Sequence, residues 1–290
     1  MLYKKSLFCC PVCGEVLETD GKNYKCSKNH SFDTAKSGYV NLLTSNHMNT
    51  KNPGDNKLMV KSRSDFLDRG YYSHLLETLC QAVSDCVSEN DVILDAGCGE
   101  GYYTKGVLDF LKSAHVSADI AGIDISKHAA DRAAKRSKEI SFAVGSVFHI
   151  PVPDASCNIL MSIFAPFCHN EFVRVLKSMG YLIMVIPGRK HLWELKNTVY
   201  DKPYENNPKS EEIEGFDFVK KYETQKMIEL ESNNDIESLF AMTPYFYNTS
   251  PEDKNKLSEL EYLKTQTEFE ILVYRKRRII MALDGAFCML

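Results

Sequence analysis

The sequence has no long run of apolar residues. No stretch of 18 apolar residues occurs in 290, so we expect no transmembrane helix. The opening residues MLYKKSLFCC lack the long apolar segment and small-residue cleavage site of a secretory signal peptide. These absences predict a cytoplasmic protein that does not associate with membranes. No internal repeat is visible, so nothing suggests a repeat architecture.

The composition is that of a globular chain, with 44% hydrophobic and 26% charged residues. A chain of this length can bury one full domain and something smaller. Charge is divided unevenly: residues 1–64 carry ten Lys and Arg against five Asp and Glu, a net +5, so the remainder carries −9 of the total of −4. A basic end on an acidic body suits a polyanionic partner, although an ordinary solvated surface can show the same balance.

Four potential metal ligands follow the pattern C-x2-C-x12-C-x3-H: Cys10, Cys13, Cys26 and His30. Three thiolates and an imidazole fit a closed tetrahedral zinc site, which is structural because no coordination position stays open. The alternative is a chance cluster of buried thiols. The other cysteines are expected to be free thiols: Cys9, Cys80, Cys86, Cys98, Cys157, Cys168 and Cys288.

Beyond the metal pattern, short apolar strands alternate with helical patterns. An amphipathic helix is predicted from Ser73, and another with Ser126 as its N-cap. Strands are predicted at 92–96, 120–124, 140–144, 158–163 and 181–187, followed by helices at 191–200, 235–242 and 252–264 and a strand at 268–274. This alternation predicts an α/β fold with a doubly wound, mostly parallel sheet.

The segment VILDAGCGEGYYT places a glycine-rich loop after the first strand of this sheet. Glycines at 97, 99 and 101 allow a sharp turn and a close approach to a ligand. The dinucleotide fingerprint would need a glycine at position 102, where Tyr102 stands. Asp124 ends the second strand and can accept hydrogen bonds from ribose hydroxyls, while Asp95 and Glu100 flank the loop. Acidic flanks favour a cationic ligand such as a sulfonium nucleoside with an α-amino group.

The run D-x-G-C-G-x-G followed by G-I-D-I-S resembles the class I S-adenosylmethionine-dependent methyltransferases. The chain also contains, in order, CPVC, CSKNHSFDTAKSGYVNLL, NPGD, FLDRGYY, LDAGCGEGYYT, APF, PGRKHLWELK and MTPY. With these motifs it resembles, over about residues 8–276, the bacterial 23S rRNA guanine-N1-methyltransferases that modify the loop of hairpin 35. That family includes tylosin-resistance members.

The resemblance implies a domain organisation. Residues 1–40 would form a zinc-binding RNA-recognition module, and residues 73–276 a Rossmann-like class I methyltransferase domain. Residues 41–72, where the stretch 41–57 is rich in Asn, Thr, Ser, Pro and Gly, are interpreted as a linker or loop. The apolar tail 277–290 stays unassigned. A homodimer acting on 23S rRNA is also implied.

The resemblance makes the four Cys and His residues zinc ligands and makes Tyr72, Gly99, Glu100 and His191 contacts of the methyl donor. Fold analogy adds Ser146 and Val147 as neighbours of the adenine. The predicted site for S-adenosylmethionine therefore comprises Tyr72, Asp95, Gly97, Gly99, Glu100, Asp124, Ser146, Val147 and His191.

The implied reaction methylates N1 of an unpaired guanine, with positioning as the main source of rate and a base assisting. Asp55, Glu194 and His191 are candidate bases, and water is an alternative. The segment SIFAPF offers no proton acceptor, but it can stack against or enclose a nucleobase. Lys22, Lys25, Lys28 and Lys36, on or near the metal pattern, are expected to contact phosphates. Two other hypotheses remain: a methyltransferase for small molecules with a zinc-bound lid, and a non-enzymatic RNA-binding scaffold.

Overall fold

A computed structural model of the chain describes residues 4–47, 53–207, 211–243, 245–281 and 287–289. At the N-terminal end is a small antiparallel sheet. Its strands, neighbours in chain order, are β1 (Lys4–Cys9), β2 (Val16–Thr19), β3 (Asn23–Lys25) and β4 (Ser31–Asp33). Among the described residues, no helix is both long enough and apolar enough to cross a lipid bilayer.

The body is built on an eight-stranded sheet. Its strands are β5 (Val40–Asn41), β6 (Asp91–Ala96), β7 (Ala118–Asp124), β8 (Ser141–Val144), β9 (Cys157–Ile163), β10 (Leu176–Pro187), β11 (Phe216–Leu230) and β12 (Leu263–Lys276). They lie in the order β11-β12-β10-β9-β6-β7-β8-β5, and β12 is antiparallel to β10 and β11 while the other pairs are parallel. The chain moves outward from β6 through β7 to β8 and then returns to β9 on the other side of β6. This reversal opens a crevice at the carboxyl ends of β6 and β9.

Helices flank the sheet: α1 (Lys57–Asp68), α2 (Ser73–Ser84), α3 (Tyr102–Ser113), α4 (Lys127–Arg136), α5 (His169–Val175), α6 (Trp193–Val199), α7 (Asn233–Ala241), α8 (Tyr245–Asn248) and α9 (Pro251–Ser258), with a 3-10 turn at Ser45–His47. Helix α4 begins as predicted, because the Ser126 hydroxyl accepts a hydrogen bond from the Ala129 amide. Four buried alanines then form its inner face, which lets the helix lie close to the sheet.

The predicted α/β class and the five parallel strands are confirmed. The helix predicted at 252–264 is too long, because α9 ends at Ser258 and residues 263–264 already belong to β12. Strand β11 was not predicted, because its residues are mostly exposed and lack the alternation of apolar and polar residues that marks a strand with one buried face.

The interpretation of residues 41–72 as a linker or loop is wrong for the part that forms α1. Asn56 caps this helix by accepting hydrogen bonds from two amides of its first turn, and Met59, Val60, Phe66 and Leu67 are buried. The prediction of a linker followed the polar composition of residues 41–57 and did not take account of the apolar residues that hold α1 in place. Residues 48–52 of this segment lie outside the described residues.

The N-terminal sheet shares an apolar core with one face of the main sheet. Phe8 and Leu17 are fully buried, and with Tyr24 they belong to the same cluster as residues of β6, β7 and β8. The Cys9 amide donates to the Pro151 carbonyl at 2.9 Å, and the edge strand β5 pairs in parallel with β8. The small module is therefore fixed to the body through packing and backbone hydrogen bonds.

The tail that the sequence analysis left unassigned contains one further pair of strands. β13 (Ile279–Met281) pairs in antiparallel fashion with β14 (Phe287–Met289). Residues 282–286 and 290 of the tail lie outside the described residues.

Candidate functional site

A cavity of about 690 Å³ lies in the crevice of the main sheet. Its walls come from the ends of β6, β7, β8, β9 and β10, with α1 and the start of α8 closing over them. This position and this volume are typical of a small-molecule site in an open α/β sheet. The nine residues predicted for donor binding all line it: Tyr72, Asp95, Gly97, Gly99, Glu100, Asp124, Ser146, Val147 and His191.

The glycine loop turns between β6 and α3. Gly97, Gly99 and Gly101 all have positive φ, and the amides of Gly97 and Cys98 both donate to the Ile123 carbonyl at 2.9 Å. A Cβ on Gly97 would lie 2.5 Å from the Ala165 side chain, so this glycine is required for packing. A Cβ on Gly99 would meet only Arg63, at 3.8 Å, and would otherwise project into free space. Gly99 thus leaves room for a ligand that approaches the backbone.

Four acidic side chains line the cavity, Asp55, Asp95, Glu100 and Asp124, and burial acts on the last three. Burial raises the pKa of Asp95 to about 7, and its carboxylate accepts a 2.6 Å hydrogen bond from Thr104. Burial also raises the pKa of Glu100, although the neighbouring Arg136 guanidinium opposes the shift. Burial likewise raises the pKa of Asp124. Burial makes the charged form of each carboxyl less favourable. A cationic ligand stabilises that charged form and so offsets the hydration that burial removes.

The Asp124 carboxylate holds the glycine loop in place. One oxygen accepts from the Gly99 amide at 2.9 Å and the other from the Ser126 amide at 2.8 Å. Each oxygen keeps a second lone pair that can accept from a ribose hydroxyl. The predicted role of Asp124 in ribose binding stays a prediction, and its bonds to the loop give it a second, structural role.

Several buried polar atoms at this cavity have no hydrogen-bond partner among the described residues. They are Asp95 Oδ1, Glu100 Oε1, the Tyr103 hydroxyl and Ser162 Oγ. Buried polar atoms are normally paired, so a group of unpaired ones around one cavity points to a polar ligand. Their chemistry fits S-adenosylmethionine, which brings an ammonium group, ribose hydroxyls and a sulfonium.

An aromatic corner closes one side of the cavity. Tyr72 is buried and contacts His191 and Phe269 edge-on, with ring centroids 6.1 and 4.9 Å apart. His191 accepts from the Glu268 amide at 3.2 Å through Nδ1, and burial lowers its pKa to about 3. At neutral pH it is therefore an uncharged ring. On the other side, buried Ser146 and Val147 follow β8, where fold analogy expects the adenine.

The three candidate bases stand in different environments. Glu194 is not among the residues lining the cavity, because its carboxylate accepts from the Thr265 hydroxyl and the Gln266 amide. Asp55 lines the cavity but is ion-paired with Arg63. His191 lines it with one ring nitrogen already bonded to the backbone. Each of the three side chains already has a partner, so none stands out as the proton acceptor.

The four predicted metal ligands come together from two turns, one between β1 and β2 and the other between β3 and β4. One ligand atom from each of Cys10, Cys13, Cys26 and His30 lies within 4.8 Å of all the others. The Cys13 and Cys26 sulfurs are 3.7 Å apart, and His30 Nδ1 is 3.5 and 3.4 Å from the sulfurs of Cys10 and Cys26. Two thiolates about 2.3 Å from a tetrahedral zinc lie about 3.8 Å apart. The cluster therefore fits zinc and fills all four positions.

Some residues that line the cavity were not predicted from the sequence. Arg63 projects from α1, Tyr103 lies in the first turn of α3, and Ser162 near the end of β9. Tyr103 lies two residues after Gly101 of the glycine loop, so its position in the sequence could have predicted that it lines the cavity. Arg63 and Ser162 carry no local pattern, and only the fold brings them to the cavity.

Two protein-family models match the chain. The model for the RlmA N-terminal zinc ribbon matches residues 8–51, and a methyltransferase-domain model matches residues 87–257, which is more than half of the chain.

Curated relatives include the Bacillus subtilis protein YxjB, provisionally named a 23S rRNA (guanine-N(1)-)-methyltransferase, which is 29% identical over 93% of this chain and 98% of its own length. A Micromonospora griseorubida protein with the same provisional name is 35% identical over 64% of this chain and 67% of its own. The 23S rRNA (guanine(748)-N(1))-methyltransferase of Streptomyces fradiae is 33% identical over 64% and 65%. With its zinc ribbon, its class I methyltransferase fold and these relatives, the chain belongs to the family of 23S rRNA (guanine-N1)-methyltransferases.

Proposed function

We propose that this protein transfers a methyl group from S-adenosylmethionine to N1 of a guanine in the loop of hairpin 35 of 23S rRNA. The observation that carries the proposal is the set of unpaired acceptors and acidic side chains around one cavity, at the switch point of a class I methyltransferase sheet. S-adenosylmethionine supplies an activated methyl group on a sulfonium. The protein supplies a site that neutralises its charge and holds it next to the acceptor.

The chemistry requires an exposed guanine edge. N1 lies on the pairing edge, so the target guanine has to be unpaired or turned out of its stack, as in a hairpin loop. Phe164 at the cavity is 46% exposed and has a left-handed backbone, with φ of 54°. An exposed aromatic ring held in a strained conformation beside the donor site suits stacking against an unpaired base of the loop. In this scheme most of the rate comes from positioning.

The zinc ribbon is proposed to bind the RNA backbone. Lys22, Lys25, Lys28 and Lys36 are all exposed, and Lys28 forms a 3.4 Å ion pair with Glu15. Zinc holds the ribbon in shape, because a module this small buries too little apolar surface to fold alone. A homodimer would bring two such basic surfaces to one RNA, and action on ribosomal RNA would place the protein in the cytoplasm.

Primer extension on 23S rRNA tests the proposal directly. A methyl group on N1 blocks pairing, so reverse transcriptase should stop one nucleotide before a hairpin 35 guanine in RNA from cells that express the protein. Cells expressing Asp124→Ala provide the control, since loss of the loop anchor should remove the stop. An unmodified hairpin in cells containing folded, zinc-loaded protein would contradict the proposed function.

Two other functions make different predictions. A methyltransferase for small molecules would bind S-adenosylmethionine but would not bind the hairpin. A non-enzymatic RNA-binding scaffold would bind the hairpin without turning over the donor. The intact glycine loop and the acidic side chains around the cavity support an enzyme over a scaffold.

A further inference from the structure

A second cavity adjoins the cavity of about 690 Å³ at the switch point of the sheet, which is the proposed site of the methyl donor and is hereafter called the donor cavity. It has a volume of about 280 Å³ and shares Ile186 and Pro187, at the end of β10, with the larger one. Its other lining residues are Tyr204, Glu205, Asn206 and Asn207. Because the two cavities meet at the carboxyl end of a central strand, a molecule in the second would lie beside a donor in the first.

The loop that forms this cavity is fixed by specific contacts. The Asn206 backbone amide donates to the Arg189 carbonyl at 2.9 Å, and its side-chain amide donates to the Gly188 carbonyl at 2.7 Å. Lys196, only 1% exposed, donates to the Tyr204 carbonyl at 3.1 Å and to Asn206 Oδ1 at 2.9 Å. A buried ammonium is costly unless its partners are well placed, so this arrangement indicates a built site.

The same lysine connects the two cavities. Its Nζ lies 4.8 Å from the ring centroid of Tyr204 and 5.1 Å from that of Tyr245, which lines the donor cavity. Tyr204 is 54% exposed and offers a ring for stacking. The loop position is thus coupled to the wall of the donor site.

The polar groups of the second cavity match a guanine. Glu205 supplies a carboxylate, which only accepts hydrogen bonds, and its present partner is the exposed Arg189 at 3.2 Å. Guanine carries a 2-amino group beside N1, whereas adenine has none. Arg189 and Lys190 are exposed beside the cavity, where phosphates of an RNA loop would lie.

We propose that the second cavity is the acceptor subsite, in which Glu205 accepts a hydrogen bond from the 2-amino group of the target guanine while Tyr204 stacks on its ring. This orientation turns N1 toward Ile186 and Pro187, and so toward the donor cavity. The inference rests on the proposed function and assigns Glu205 as the residue that selects guanine.

The experiment compares two hairpin 35 transcripts, one with guanine and one with inosine at the methylated position, since inosine lacks only the 2-amino group. The wild-type protein should methylate inosine with a kcat/KM about 10- to 100-fold lower, the range expected when a hydrogen bond to a charged group is lost. Glu205→Ala should lose a similar factor on guanine and should treat the two transcripts nearly alike. Glu205→Gln, which keeps an acceptor oxygen, should lose less.

Glu237→Ala, which removes an exposed carboxylate on α7, is the matched control and should discriminate as the wild type does. Donor affinity measured by calorimetry should be the same in all variants, which shows that the donor site is intact. If Glu205→Ala still prefers guanine as strongly as the wild type, or if the wild type shows no preference, the subsite is wrong while the proposed function stands. No methylation of the guanine transcript by the wild type would overturn both.

Discussion

At the scale of single residues, the donor cavity is lined by buried acids that each keep one unpaired oxygen. Asp95 is 0% exposed and Glu100 is 2% exposed, and each has one oxygen without a partner among the described residues. In the ligand-free protein these groups cost stability, because burial disfavours their charged forms. The site therefore holds an unfavourable arrangement that a cationic ligand relieves.

Replacing Asp95 with Asn should separate stability from binding. Burial raises the pKa of Asp95 in the folded protein to about 7 from its ordinary value of 3.8, so the stability contributed by the protonated carboxyl is lost as pH rises from about 4 to about 7. Asn keeps an acceptor for Thr104 and does not ionise. We expect Asp95→Asn to raise the melting temperature of the ligand-free protein at pH 8 but not at pH 4, and to weaken donor binding.

Thermal unfolding across this pH range and calorimetric titration with S-adenosylmethionine measure the two effects. At about 1.4 kcal/mol per pKa unit, the stabilisation at pH 8 is at most about 4 kcal/mol. A lower melting temperature at pH 8 together with unchanged donor affinity would show that Asp95 serves the loop and not the ligand.

Two glycines of the same loop should fail in different ways. Gly97→Ala places a Cβ 2.5 Å from Ala165, so we expect a loss of about 2 kcal/mol or more of folding stability. Gly99→Ala meets only Arg63, at 3.8 Å, so it should change stability by about 1 kcal/mol, the cost of its positive φ, yet reduce donor affinity at least 10-fold. Urea unfolding and donor titration on both variants test this. Normal donor affinity in Gly99→Ala would mean that the ligand does not approach this backbone.

At the scale of elements, the zinc ribbon and the main sheet depend on each other. Phe8 and Leu17 in the ribbon are fully buried in the core they share with the sheet, and β5 continues the sheet at its edge. Loss of the ribbon structure would therefore expose an apolar face of the body as well.

Cys26→Ser should lower the stability of the whole chain. It leaves three strong zinc ligands, and zinc binding supplies roughly 10 kcal/mol or more of folding free energy to small modules. We expect zinc loss and a drop of several degrees in a single melting transition, with hairpin methylation strongly reduced. Cys86→Ser, which changes a partly buried cysteine outside the cluster, is the control and should keep zinc. An unchanged melting temperature of the body after zinc loss would show that the ribbon is energetically independent.

At the scale of the whole molecule, charge is distributed for a polyanion. The first 64 residues carry a net +5 on a chain of −4. The ribbon carries exposed lysines, and the exposed Arg189 and Lys190 add positive charge near the second cavity. An RNA hairpin that spans both regions would present its loop to the donor site.

Hairpin binding should therefore weaken steeply with salt. The logarithm of affinity is expected to fall linearly with the logarithm of salt concentration, by about 0.7 to 0.9 for each phosphate contact. Changing Lys22, Lys25 and Lys36 together to Gln should make this slope shallower by the amount expected for two to three phosphate contacts. The same changes at Lys105, Lys112 and Lys135, which are exposed lysines on α3 and α4 paired with acids, should leave it unchanged. Equal slopes for both triple variants would remove the ribbon from the RNA interface.

Local patterns in the sequence determined the chemistry of this protein. Cys10, Cys13, Cys26 and His30 could be recognised as a metal cluster from spacing alone, because a zinc ligand set is built on short turns. The loop from Asp95 to Gly101 could be recognised because its glycines and acids are contiguous. The parallel strands followed from short apolar runs, since a sheet covered on both faces buries every residue of a strand.

The tertiary structure alone decided what depends on residues far apart in the chain. Arg63 and Ser162 carry no local pattern and reach the donor cavity only because α1 and β9 pack around it. The attachment of the ribbon to the sheet depends on Phe8 contacting a surface that forms from distant strands. Glu205 lies at the second cavity because buried Lys196 holds its loop and Asn206 ties that loop to the residues after β10. A sequence pattern reports which face of an element is apolar, but the partner of that face is chosen by the packing of the whole fold.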